Sequence, residues 1–157
     1  MTPKEATQEL CTAVTIGNSI DAEAALAQGA DPNAMNGQSV PLLHLAAELS
    51  NTIVGVEIGE MLIKAGADVN VRNRRSGETA LHRAAYQSDT HFGQMLIENG
   101  ADLAAKNTFH VTPRIKASMK GNSPFVAILD QAIESQPGHT HRIASSRSSD
   151  GKPKLGS

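Results

Sequence analysis

The chain predicts an all-α stack of repeated helix pairs, because two landmarks recur in one register and the composition suits thin layers. The triplet Gly-Ala-Asp stands at Gly29 to Asp31, Gly66 to Asp68 and Gly100 to Asp102, spaced 37 and 34 residues apart. Upstream of two of these triplets lie Leu43-His44-Leu45-Ala46-Ala47 and Thr79-Ala80-Leu81-His82-Arg83-Ala84-Ala85, with His44 and His82 38 residues apart. A period of this length marks stacked units and not one closed core. Aromatic residues make up 3% of the 157 residues and Trp is absent, so small and aliphatic side chains must pack closely between helices.

The first unit enters at Leu10 and Cys11 in a helical pattern, breaks at Gly17-Asn18 and reaches Gly29 twelve residues after Gly17. The second passes through the Leu43-His44 landmark and needs sixteen residues from Ser50 to Gly66, against twelve from Ser88 to Gly100 in the third. Met61-Leu62-Ile63 matches Met95-Leu96-Ile97, so the outer helix is preserved. About four extra residues are expected around 51–56, in the loop between the two helices, where insertions cost little.

The third unit shows most detail. Its polar run Arg72-Asn73-Arg74-Arg75-Ser76-Gly77 suits a projecting hairpin finger, one residue longer than its neighbours. Thr79 stands where a helix N-cap is wanted, and Leu81, Ala84 and Ala85 share one face of a short inner helix. After Ser88-Asp89, Phe92, Met95, Leu96 and Ile97 define an outer helix that ends at Asn99-Gly100. The fourth unit keeps Thr112-Pro113, puts Arg114 and Ile115 where Leu and His stood, and lacks a Gly-Ala-Asp after Phe125, Ile128 and Leu129. That is the form of a terminal capping repeat, whose outer face meets water.

Hairpin, helix, turn, helix, with Thr-x-Leu-His and Gly-Ala-Asp at these offsets, resembles the ankyrin repeat from about Gln8 to Ser135. The resemblance implies a solenoid of helix-turn-helix pairs with short β-hairpin fingers. The expected domain covers 1–135, with repeats at about 8–35, 36–72, 73–106 and 107–135, two internal and two capping. Residues 136–157, rich in Ser, Gly, Lys and Arg, are expected to be a disordered basic tail.

The net charge is −2, yet 136–157 holds four basic residues against one acidic, leaving ten basic and fifteen acidic residues in 1–135. One cysteine, Cys11, excludes a disulfide within the chain and a thiolate metal cluster. Cys11 aligns with the repeated His and reads as a small hydrophobe. No apolar run approaches membrane-spanning length and Met1 to Glu5 lacks a signal peptide's hydrophobic segment, so a cytoplasmic protein is expected. On the ankyrin resemblance, His44 and His82 are buried imidazoles bonded to caps and backbone. No nucleophile elbow, dinucleotide fingerprint or phosphate loop occurs, so neither an enzyme nor a cofactor or metal site is expected. Asn33 and Asn70, two residues after the repeated Asp, should tie down turns.

The resemblance also implies that finger tips and exposed inner-helix positions line one concave partner-binding face. Those positions are Gln38, Val40, Glu48 and Leu49 in repeat two, Arg72, Arg74, Arg75, Glu78, Tyr86 and Gln87 in repeat three, and Thr108, Phe109, Val111, Met119 and Lys120 in repeat four. Tyr86 and Phe109 are two of only four aromatic residues in the chain. The expected function is a non-catalytic protein-binding module, an adaptor, inhibitor or immunity-type neutraliser, monomeric when free. The alternative is association with nucleic acid through the Arg-rich finger and basic tail. The acidic body and the lack of aromatics alternating with Lys and Arg weigh against it.

Overall fold

The computed structural model describes residues 1–49 and 52–136; most of the expected tail, 137–157, lies outside the described residues. Among the described residues eight helices follow in order: α1 Pro3–Ile16, α2 Ser19–Ala27, α3 Leu42–Ala47, α4 Thr52–Lys64, α5 Ala80–Gln87, α6 Thr90–Glu98, α7 Pro113–Met119 and α8 Ser123–Ser135. Consecutive helices pack as antiparallel pairs. The odd-numbered helices then form an inner row, α1 to α3 to α5 to α7, and the even-numbered ones an outer row behind it.

Each boundary has a local cause. Thr2 and Glu5 close a capping box around the start of α1, with Pro3 in its first turn, and Gly17 ends it in the left-handed region at φ 75°. Helix α1 thus begins ahead of the expected repeat start near residue 8. Asn18, Asp89 and Asn122 cap the outer helices α2, α6 and α8 through their side-chain oxygens.

The core runs between the two rows as a stair of stacked side chains. Phe92 and Phe125 are fully buried, as are Leu10, Leu43, Ile58, Leu62, Leu81, Leu96 and Leu129. Gly59 and Gly93 make room for the rings. A Cβ on Gly59 would stand 2.9 Å from Phe92, and one on Gly93 would stand 2.6 Å from Phe125. At the position following Phe125, where Phe92 is followed by Gly93, helix α8 has Val126, against which no further helix among the described residues packs.

Two expectations are corrected. The fingers are not β-hairpins: among the described residues there is no strand, only one isolated antiparallel bridge between Met35 and Pro41. Each finger is instead a turn organised by one asparagine. The backbone N–H of Asn36, Asn73 and Asn107 donates to the carbonyl of Val40, Glu78 and Val111. Their Oδ1 atoms accept from the N–H groups of Gln38, Arg75 and Phe109 at 2.9, 2.7 and 2.8 Å. Side chains take the place of a backbone ladder. The extra residue of the third repeat's finger is visible in this closure.

The insertion in repeat two is not a loop either. Helix α4 has 13 residues where α2 and α6 have 9, so the added residues from Thr52 onward extend the helix by about one turn.

Candidate functional site

The inner helices superpose position for position along the sequence. Glu48, Tyr86 and Met119 occupy one register, Leu49, Gln87 and Lys120 the next, and Leu45, Arg83 and Lys116 the one that begins each row. These side chains and the finger tips share the open face of the stack. A chain of ion pairs runs along it from repeat to repeat. Arg83 of α5 reaches back to Glu48 after α3, its Nε lying 2.7 Å from Glu48 Oε2, and also faces Glu78 at 3.7 Å. Glu78 in turn pairs with Lys116 of α7. Lys116 and Lys120 both stand over the Tyr86 ring, 5.2 and 4.3 Å from its centroid, within cation–π range.

Glu78 is therefore not an open contact residue. It is 4% exposed, and its carboxyl also faces Asn107 Nδ2 at 3.5 Å. Burial raises its pKa, but the Lys116 hydrogen bond and neighbouring positive charges more than offset this, leaving it below the ordinary carboxylate range. Arg72 is also committed: its Nη1 donates to the carbonyls of Gly77 and Lys106 at 2.9 and 2.7 Å, tying one finger to the next. Leu49 packs against the core, Val40 is half-buried, and Glu48 is held by Arg83. Half-buried Val111 offers its carbonyl to His82.

The remaining expected residues are exposed. Phe109 is 76% exposed at the last finger tip and does not fold back as a cap; Met119 is 74% and Tyr86 45% exposed. Gln38, Arg74, Arg75, Gln87, Thr108 and Lys120 are exposed too. The open set therefore lies mainly in repeats three and four. Reading the sequence missed Arg83 and Lys116. Their signal was available, since each stands about one repeat period from an opposite charge, Glu48 or Glu78.

The repeated histidines join layers. His82 Nδ1 accepts from the Thr79 backbone N–H at 3.1 Å and meets the Thr79 hydroxyl at 3.0 Å, so Nε2 carries the proton and donates to Val111 O at 2.8 Å in the following finger. His44 likewise donates through Nε2 to Val71 O at 3.0 Å. Its Nδ1, however, is buried without a hydrogen-bond partner. Pro41 stands where Thr79 stands in the next repeat, and proline has neither an N–H nor a hydroxyl to offer. Burial pulls the His44 pKa down to about 4, and lowers that of His82. Both rings are structural.

A second stitch runs through Asn33 and Asn70. Asn33 donates to Gly66 O at 3.1 Å and accepts from Asp68 N–H at 2.8 Å; Asn70 repeats this with Gly100 O and Asp102 N–H at 3.3 and 2.6 Å. Among the described residues no group of His, Cys, Asp and Glu side chains could hold a metal, and no helix is long and apolar enough to cross a membrane.

A one-layer-at-a-time stack of helix pairs, bonded through its turns and open along one side, defines a repeat scaffold. The family model for ankyrin repeats (3 copies) matches residues 10–107, and 43–138 in an overlapping match. The chain belongs to the ankyrin-repeat family. It is 29% identical over 101 residues to the potassium channel AKT3 of Oryza sativa subsp. japonica, covering 64% of this chain and 11% of that protein. It is 32% identical over 98 residues to the nuclear factor NF-kappa-B p105 subunit of Gallus gallus, covering 62% and 10%. With ankyrin repeat and SOCS box protein 5 of Homo sapiens it shares 36% identity over 94 residues, covering 60% and 28%. The chain thus spans only about a tenth to a quarter of these relatives, through their repeat regions. Ankyrin repeats generally mediate protein–protein interaction.

Proposed function

We propose that this chain is a cytoplasmic, non-catalytic binding module that engages one protein partner through the open face of repeats three and four. The observation that carries this reading is the exposure of Tyr86, Phe109 and Met119 on the open face. Rings and thioethers exposed this way contribute most when a partner removes them from water. Acting as a short module, the protein would work as an adaptor, an inhibitor or a neutraliser of its partner.

The test is affinity capture from the native cell, followed by binding kinetics of variants against the purified partner. Tyr86→Ala or Phe109→Ala should weaken binding by about 2 kcal/mol, while Glu98→Ala on the outer row should change almost nothing. Circular dichroism controls for folding. Wild-type affinity in both ring variants would move the interface off this face.

A further inference from the structure

The geometry points to an acidic peptide segment with an aromatic or large aliphatic anchor as the ligand of this face, docked across repeats three and four only. The inference rests on the reading of that face as the binding surface and adds the chemistry of what it takes.

The argument is one of charge left over after internal pairing. Along the face, the anions Glu48 and Glu78 are matched by the cations Arg83 and Lys116. Arg74, Arg75 and Lys120 have no carboxylate partner among the described residues, and Arg72 is bonded only to neutral carbonyls. The face therefore keeps a net positive charge at both ends: the finger tip ahead of α5, and the end of α7. Exposed apolar side chains accompany both ends: Phe109 on the finger next to the first, and Tyr86 and Met119 beside Lys120 at the second. The Tyr86 ring restrains the Lys120 ammonium beside it, so a carboxylate arriving there meets a cation already held in place.

The rest of the chain limits how far such a ligand can extend. Residues 72–120 carry eight basic and four acidic side chains, while 1–71 carry two basic and nine acidic. A short anionic segment fits the positive half and is repelled by the negative half, which fixes its register. A long polyphosphate needs a continuous basic track and would run into the acidic repeats, which disfavours nucleic acid. Helix α7 is about 10 Å long, a length that about three extended residues span, so a short segment is enough to follow the inner-helix positions.

The probe is a phage library of random peptides about twelve residues long, selected against the full chain at low salt. The expected winners have net negative charge with at least one Phe, Tyr, Trp or Leu. Their affinity, read by fluorescence anisotropy, should fall as salt rises and drop about tenfold or more in the Arg74→Glu, Arg75→Glu, Lys120→Glu variant, with circular dichroism unchanged. Three results would overturn the inference: no acidic bias among winners, a selection that returns nothing, or a charge-reversed variant that binds within about twofold. Displacement of the peptide by an oligothymidylate of about twenty nucleotides that binds more tightly also overturns it, in favour of nucleic acid. Neutral winners that are lost on Tyr86→Ala would defeat the acidic ligand and leave the binding face intact. Winners indifferent to both Tyr86→Ala and Phe109→Ala would defeat both readings.

Discussion

Replacing Pro41 with threonine should stabilise the protein, because it supplies the two groups that His44 Nδ1 lacks. Pro41 sits at φ −61° and ψ 145°, and its counterpart Thr79 sits at φ −96° and ψ 172°. Both are extended, so threonine fits without a backbone change. A buried polar atom without a partner costs about 1–3 kcal/mol, and a new N-cap is worth about 1 kcal/mol. Against this, losing proline frees the unfolded chain by about 0.4–1 kcal/mol. The expected gain is about 2 kcal/mol, or a rise of about 4–8 °C in Tm. Urea denaturation followed by circular dichroism measures it. Pro41→Val, which adds the N–H and no hydroxyl, should show a smaller gain, and in a His44→Ala background the threonine should give none. A threonine variant no more stable than wild type, or one whose gain survives without His44, would refute the reasoning.

Acid should loosen the stack. His44 has a folded pKa of about 4, below the ordinary 6.5, so the unfolded chain binds the proton more readily. Its contribution is complete above about pH 6.5 and is lost as pH falls toward 4, to a total of about 3 kcal/mol, measurable as a falling urea midpoint over that window. His82→Ala, which removes a bonded link between repeats three and four, should lower Tm more than Cys11→Ala, whose thiol only faces Met35 O at 3.9 Å; equal shifts would count against the register. Gly93→Ala should destabilise by about 1–3 kcal/mol despite the better helix propensity of alanine, since the new methyl meets the Phe125 ring, and a stabilised variant would mean that the ring has room to move.

The spacing of Gly-Ala-Asp and of Leu-His was enough to read the layers and the helix pairs. Both signals are local and periodic, and each repeat contacts only its neighbours, so a pattern within one unit carries its packing. Interactions between units were harder to see. Glu78 was expected on the open face from its position in the Leu-His register, yet Lys116 and Arg83 from two different helices enclose it. Arg72 was expected to point outward with Arg74 and Arg75, but the adjacent finger brings the Lys106 carbonyl within its reach. The inserted residues of repeat two were assigned to a loop because length says nothing of conformation; Thr52 to Val56 continue the helical pattern of α4, and a helix grows as readily as a loop there. Pro41 in place of threonine stands in plain view, but its effect on His44 depends on the burial of the ring beside it.

The asparagine stitch also records how such an array can lengthen. Asn33 and Asn70 each reach forward to the next turn, while the matching position of the third unit is Ala104, and no Gly-Ala-Asp follows it. Suppose the stretch 73–106 were duplicated in tandem. The first copy's Gly93 would receive the second copy's Phe92 as Gly59 receives it now, and the first copy's His82 would meet a finger carbonyl. Ala104 would have no side-chain amide with which to hold its successor. A single change to asparagine at that position would give the copied unit the stitch by which Asn33 and Asn70 hold the turns that follow them.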